Sequence, residues 1–113
     1  MKHEESDLQA MCVKWFDLMY PNLLLYAIPN GGKRSIKTAM AMKREGVKKG
    51  VADLFLMRAN NGYHGLFIEM KSKKGVQSPE QKAFESRAKF QGYDYKICKT
   101  FDEFEKVIKD YLE

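Results

Sequence analysis

Apolar residues return at helical spacing through the first twenty positions. Leu8, Cys12, Trp15 and Met19 fall along one side of a segment from about Glu4 to Met19, and Pro21 enforces its end. Leu23 to Ile28 is a short apolar run that stops at Pro29-Asn30-Gly31-Gly32, the pattern of a strand followed by a loop. Ser35 can cap a helix reaching Arg44 or Glu45, with Gly46 at its C-terminal end. Gly50 to Met57 and Leu66 to Lys71 read as two strands joined through the hairpin turn signal Asn60-Asn61-Gly62. Ser78-Pro79-Glu80-Gln81 combines a serine cap, a first-turn proline and a glutamine placed to close a capping box, so a helix runs from there to about Phe90. Tyr93 to Cys98 is a fourth strand pattern. Thr100-Phe101-Asp102-Glu103 is a second capping box, opening a last helix with Phe101, Phe104, Ile108 and Tyr111 facing inward.

The order is helix, strand, helix, strand, strand, helix, strand, helix. A tight hairpin makes the middle strands antiparallel, and the strand–helix–strand connection after Lys71 predicts a right-handed crossover to a parallel neighbour. The fold class is therefore α/β, a small mixed sheet flanked by helices. With no repeats or linker, residues 1–113 read as one domain.

Two of the strand patterns carry charge where a strand is normally apolar. Asp53 interrupts Val51-Ala52-Asp53-Leu54-Phe55-Leu56-Met57, and Leu66-Phe67-Ile68-Glu69-Met70-Lys71 holds a carboxylate and an ammonium two residues apart. Ionised groups are costly to bury unless paired or bound to metal. Side chains alternate along a strand, so Glu69 and Lys71 share a face about 6 to 7 Å apart. Asp53 joins them only if opposite residue numbers sum to an even value; sums of 122 or 124 serve, and 123 separates the carboxylates. If they meet, two carboxylates beside an amine suit a divalent cation such as magnesium, with the Met70 backbone carbonyl as a further oxygen. The bland alternative is a Glu69–Lys71 ion pair with Asp53 ending its strand.

Charge sharpens the picture. The net charge of +5 is concentrated between residues 33 and 49, where seven basic residues (Lys33, Arg34, Lys37, Lys43, Arg44, Lys48 and Lys49) meet one acid, Glu45. A localised basic patch is the footprint of a polyanionic partner, although a solvated helix face also collects lysines. At 44% hydrophobic and 31% charged residues, the chain has too much apolar content for disorder. No apolar run is long enough to span a bilayer, and Met1-Lys2-His3-Glu4-Glu5 is unlike a signal peptide. Two distant cysteines, Cys12 and Cys98, match no zinc or redox spacing; they fit packing roles in a reducing cytoplasm. No phosphate-cradling glycine motif precedes a lysine–serine pair, and nothing calls for an organic cofactor.

The segments Gly50-Val51-Ala52-Asp53-Leu54, Ile68-Glu69-Met70-Lys71 and Ser78-Pro79-Glu80-Gln81 together resemble the PD-(D/E)xK nuclease superfamily, and within it the VRR-NUC (virus-type replication-repair nuclease) family. Glu5-Ser6-Asp7-Leu8-Gln9 and Pro29-Asn30-Gly31-Gly32-Lys33-Arg34 look like that family too, so the similarity runs from Glu5 to about Cys98. It implies a restriction-endonuclease-like αβββαβ core with an extra helix between the first two strands. It also implies a Mg2+- or Mn2+-dependent DNA endonuclease: Asp53 and Glu69 as metal ligands, Lys71 as a catalytic group, and Glu5 at the metal directly or through water. Gln81 matches a family position near the active site. One departure is Ala52, where the family usually has proline.

Simpler roles stand beside these. An acid in a first helical turn, as at Glu5, is favoured by the helix dipole, and Gln81 has work in its capping box. Asn30, Gly31 and Gly32 suit a plain turn, yet glycine-rich backbone beside Lys33 and Arg34 can also lie close to phosphates, as can Lys73 and Lys74. His3 and His64 read as surface histidines; Trp15, Met11, Met19, Met40 and Met42 read as core or interface packing. Stand-alone members look like phage-type junction-resolving nucleases, which implies branched or flapped DNA, a homodimer, and a bacterial host cytosol. The apolar faces of the two end helices are then candidates for the dimer interface or the core. A restriction-like or nicking nuclease and a non-catalytic DNA-binding module are the alternatives.

Overall fold

The structure, a computed structural model, describes residues 4–29 and 36–113. The expected cap at Ser35, the Asn30–Arg34 segment and His3 lie outside the described residues. The elements are α1 (Glu4–Met19), β1 (Leu25–Ala27), α2 (Ile36–Arg44), β2 (Leu54–Leu56), β3 (Leu66–Met70), α3 (Pro79–Phe90), β4 (Asp94–Cys98) and α4 (Phe101–Leu112). The sheet order is β1-β2-β3-β4, with β1, β2 and β3 antiparallel in turn and β4 parallel to β3. This is the mixed α/β architecture the patterning predicts. No described helix is long and apolar enough to cross a membrane.

One face of the sheet makes the core. Leu25, Leu54, Leu56, Leu66, Ile68, Met70 and Cys98 meet Cys12 and Phe16 of α1 and Phe104, Ile108 and Tyr111 of α4. The apolar stripes of the two end helices are thus spent inside the protein, which removes them as a dimer interface. The α1 stripe is centred on Cys12 and Phe16. Met19, together with Met11 and Met40, is more than half exposed, which removes these three from the core. The other face carries Phe55 and Phe67, the latter edge-on to Phe84 of α3 at 5.0 Å between ring centroids. Asp53 and Glu69 belong to this second face.

The β2–β3 hairpin closes as its sequence demands. Asn60 and Tyr63 exchange both backbone hydrogen bonds (3.1 and 2.9 Å), and Asn61 and Gly62 take the positive φ values of 53° and 83° that a type I′ turn requires. The Asn60 and Asn61 side-chain amides donate to the Tyr111 carbonyl at 2.7 and 2.9 Å, satisfying an acceptor that the end of α4 leaves open. The Thr100 box is half formed: the Thr100 hydroxyl accepts from the Glu103 amide, while the Glu103 carboxylate reaches past it to the Lys99 amide at 2.7 Å.

The strands are shorter than the apolar runs because alternation reports burial, not pairing. Ala52 is fully buried outside any ladder, in the place where the family's proline stands. Gly50 explains what this segment leans on. It sits at φ +89°, and a Cβ there would lie 2.5 Å from the Glu80 carbonyl carbon and oxygen. The chain before β2 therefore touches the first turn of α3 backbone to backbone, one residue from Gln81. Gly50→Ala combines a strained φ with a clash against backbone, and is expected to destabilise the protein by about 2–4 kcal/mol. A lower urea midpoint with an unchanged slope checks this.

Candidate active site

The β2–β3 register pairs Leu54 with Ile68, Phe55 with Phe67 and Leu56 with Leu66, a constant sum of 122. Continued by one pair, it sets Asp53 opposite Glu69 on the same side of the sheet. The ladder ends at that point, and the Asp53 side chain takes over from it: Asp53 Oδ2 accepts the Met70 amide at 2.7 Å, while the Asp53 carbonyl accepts from Ile28 of the β1 side. Asp53 is thereby fixed from both flanks at the point where β2 and β3 part.

Glu69 is 3% exposed and is the one buried charged residue among the described residues. Its Oε2 accepts from Gln81 Nε2 at 2.8 Å and lies 3.8 Å from Lys71 Nζ. Its Oε1 is buried with no hydrogen-bond partner. The Glu69 carboxyl is pushed up to about 8, first by burial and then by the neighbouring Asp53 charge. Burial also raises Asp53, against the lowering pull of the Met70 amide. Two carboxylates this close in a dry setting compete to stay ionised, so the free site holds a proton that a cation can replace.

Gln81 ties the parts together. Its Oε1 accepts from the Ser78 amide (2.8 Å) as the second half of the capping box and also from Lys71 Nζ (2.7 Å), while its Nε2 serves Glu69. Capping and site-building are one arrangement here, not alternatives. The cap fixes the amide's orientation, and the amide fixes the lysine and the glutamate.

Glu5, exposed on the first turn of α1, stands further off. Its Oε2 accepts from the Ser72 amide at 3.3 Å, and its charge is felt at both Asp53 and Glu69. Among the described residues no three acidic, histidine or cysteine side chains gather into a complete cage. A cation held here would take two carboxylates and fill its remaining positions with backbone oxygen and water, a donor set magnesium accepts.

The charged segments face solvent. Lys37, Lys43, Arg44, Lys48 and Lys49 are exposed, as are Lys73 and Lys74 in the turn after β3. Asn30, Gly31, Lys33 and Arg34 lie outside the described residues. His64 is exposed and packs on Tyr93, without a partner that suggests chemistry. Cys12 and Cys98 are buried free thiols, both raised by burial (to about 11 and about 12), as packing groups should be.

Comparison with known proteins agrees with this fold. The VRR-NUC domain model matches residues 1–102. A solved structure described as a VRR_NUC domain protein superposes with a TM-score of 0.80 at 27% identity, covering 96% of this chain and 88% of its own. Another, described as a VRR_NUC domain, gives a TM-score of 0.67 at 18% identity, with 96% and 97% covered; it shares the fold. No curated protein matches the chain.

Between the ordinary carboxyl value of 4.5 and about 8, the folded chain holds a proton on Glu69 that the unfolded chain has lost. Stability of the metal-free protein therefore falls as pH rises through that window. Glu69→Gln removes the buried charge. In chelator it should be more stable than the wild type by roughly 1–3 kcal/mol at about pH 9, with little or no gain at about pH 5. Thermal melting across pH reads this directly; equal pH dependence of the two proteins would contradict the buried-acid assignment.

Proposed function

The chain belongs to the VRR-NUC domain family, a family of nuclease-type folds, and from that membership we propose that it is a metal-dependent DNA endonuclease that hydrolyses phosphodiester bonds. The observation that carries the reading is the Glu69 carboxylate: buried, beside Asp53, and left with an oxygen that no donor satisfies. Native proteins rarely leave such an atom orphaned, and a divalent cation is the partner that both acids lack.

On this reading Asp53 and Glu69 are the protein ligands. The Met70 carbonyl, which leaves an extended strand on the same side as the Met70 amide, is the backbone oxygen available to join them. Glu5 holds water of the outer sphere. Bound magnesium or manganese supplies positive charge that polarises the phosphodiester and makes a coordinated water a better nucleophile. Lys71, aimed by Gln81, places a fixed ammonium where negative charge grows on the phosphoryl oxygens. Because that ammonium is already oriented before substrate arrives, its reorganisation cost at the moment of reaction is small.

Substrate choice follows from what surrounds the pair. The exposed cations from Lys37 to Lys49, with Lys73 and Lys74, contact phosphates and carry no base code, which favours recognition of DNA shape such as a four-way junction or a flap. Symmetric cutting of a four-way junction requires two active sites, and hence two copies of this chain.

Incubating labelled junction, flap and linear duplex with magnesium, manganese or chelator tests this. Cleavage should need the metal and should be strongest on the branched substrates. Asp53→Asn and Lys71→Ala should each lower the rate by a factor on the order of 100 or more while leaving DNA binding within a few-fold. Undiminished cutting in chelator would remove the metal from the mechanism.

A further inference from the structure

Beside the carboxylates, but on the far side of Lys71, lies a cavity of about 270 Å³ lined by Glu4, Glu5, Leu8, Lys71, Ser72, Lys73 and Lys99. Three of its seven lining residues are lysines, Lys71 and Lys73 from the turn after β3 and Lys99 from the end of β4, facing Glu4 and Glu5 of α1. The parallel β3–β4 register pairs Met70 with Cys98, and the Lys71 amide donates to the Cys98 carbonyl at 3.0 Å. Carried one residue further, this places Lys71 and Lys99 side by side at the carboxyl ends of adjacent strands. Like charges in that relation repel and destabilise unless an anion lies between them. The carboxyl ends of parallel strands are also where α/β sheets take their ligands.

The two amines are not equivalent. Lys71 Nζ is occupied by Gln81 and Glu69. Lys99 is half-buried, yet its Nζ reaches only the Lys73 carbonyl, at 3.2 Å, and has no carboxylate within ion-pair distance among the described residues. That single bond aims the amine and leaves two of its three donors unspent. Among the described residues Lys73 likewise forms no ion pair. Of the acids around the cavity, Glu5 is turned to the Ser72 amide, and the Glu103 carboxylate, in the first turn of α4, accepts from the Lys99 backbone amide and leaves the Lys99 ammonium without an ion pair.

We propose that Lys99, supported by Lys73, is a substrate-binding residue that holds a phosphate of the DNA strand neighbouring the phosphate to be cut. This rests on the nuclease reading above, with Lys71 marking the reacting centre and Lys99 the next anion position along the strand. The pocket thereby fixes the register of the backbone on the metal pair without reading a base.

The test uses the full chain, a fluorescein-labelled four-way junction and the matching linear duplex, with wild type, Lys99→Gln and Lys99→Arg. Binding is measured in chelator over a range of salt, and cleavage with magnesium. Lys99→Gln should weaken binding about tenfold, flatten the dependence of log affinity on log salt by about one unit, and show its cleavage loss in KM. Lys99→Arg should restore most of the binding. Melting curves establish that each variant folds. An unchanged salt slope in Lys99→Gln, or a loss confined to kcat, overturns the assignment while the wild type's own cleavage leaves the nuclease reading standing. A wild type that neither binds nor cuts any of these substrates overturns both.

Discussion

Everything at this site depends on a carboxylate kept out of water. Glu69 sits on a strand whose opposite face, Leu66, Ile68 and Met70, is core, and the fold gives it one amide donor, one ammonium at a distance and a second acid for a neighbour. Two of these favour its charge and one opposes it, while burial opposes it most of all. An arrangement meant only for stability would place an apolar side chain there, because replacing a buried charge with packed hydrocarbon is commonly neutral or better. The cost of that buried acid is the feature the proposed metal-binding role would account for.

Holding that defect in place is the work of a helix cap. Gln81 satisfies the Ser78 amide, as its position in the sequence demands, and the same oxygen accepts a hydrogen bond from the Lys71 ammonium. Its amide nitrogen then has one direction left, toward Glu69. Local helix-start chemistry and the long-range site therefore share one side chain. Gly50 is the counterpart on the opposite side: its lack of a Cβ lets the Asp53 segment lie against the Glu80 backbone. The acid before β2 and the amide from α3 are positioned by the same contact, which couples the stability of that helix turn to the geometry of the two carboxylates.

Much of this was legible in the residues. Caps, glycines and the Asn60-Asn61-Gly62 turn located the elements, because each is a local requirement that the rest of the fold does not alter. Register was posed correctly as a question of parity, and the even sum places Asp53 with Glu69. What the sequence left open was set by tertiary packing. The end-helix stripes could serve a core or an interface until the sheet face filled them, and burial in α1 centres on Cys12 and Phe16 while Met19, the last residue of the helix, stays exposed. Strand lengths were overread because Ala52 is buried without being paired. Lys99 gave no signal in the sequence: a lone lysine after an apolar strand is ordinary until the parallel register brings it beside Lys71.

That last point bears on how a mixed sheet this small arranges a site. The antiparallel pair contributes the two acids at the place where its ladder gives out, so the acids need no loop to carry them. The parallel pair contributes the amines, because parallel strands end at the same level and the residues that follow them, Lys71 and Lys99, come out level too. Lys71, two residues past Glu69 on the same face, stays 3.8 Å from its carboxylate, and Lys99 extends the positive side toward β4. On the proposed reading, a cation at the two acids would offset the charge of the scissile phosphate, and Lys99 would meet the next phosphate directly. A sheet of four parallel strands would place all these groups in one row, and a wholly antiparallel one would send the second amine to the opposite end. The single switch from antiparallel to parallel at β3 gives the site its polarity.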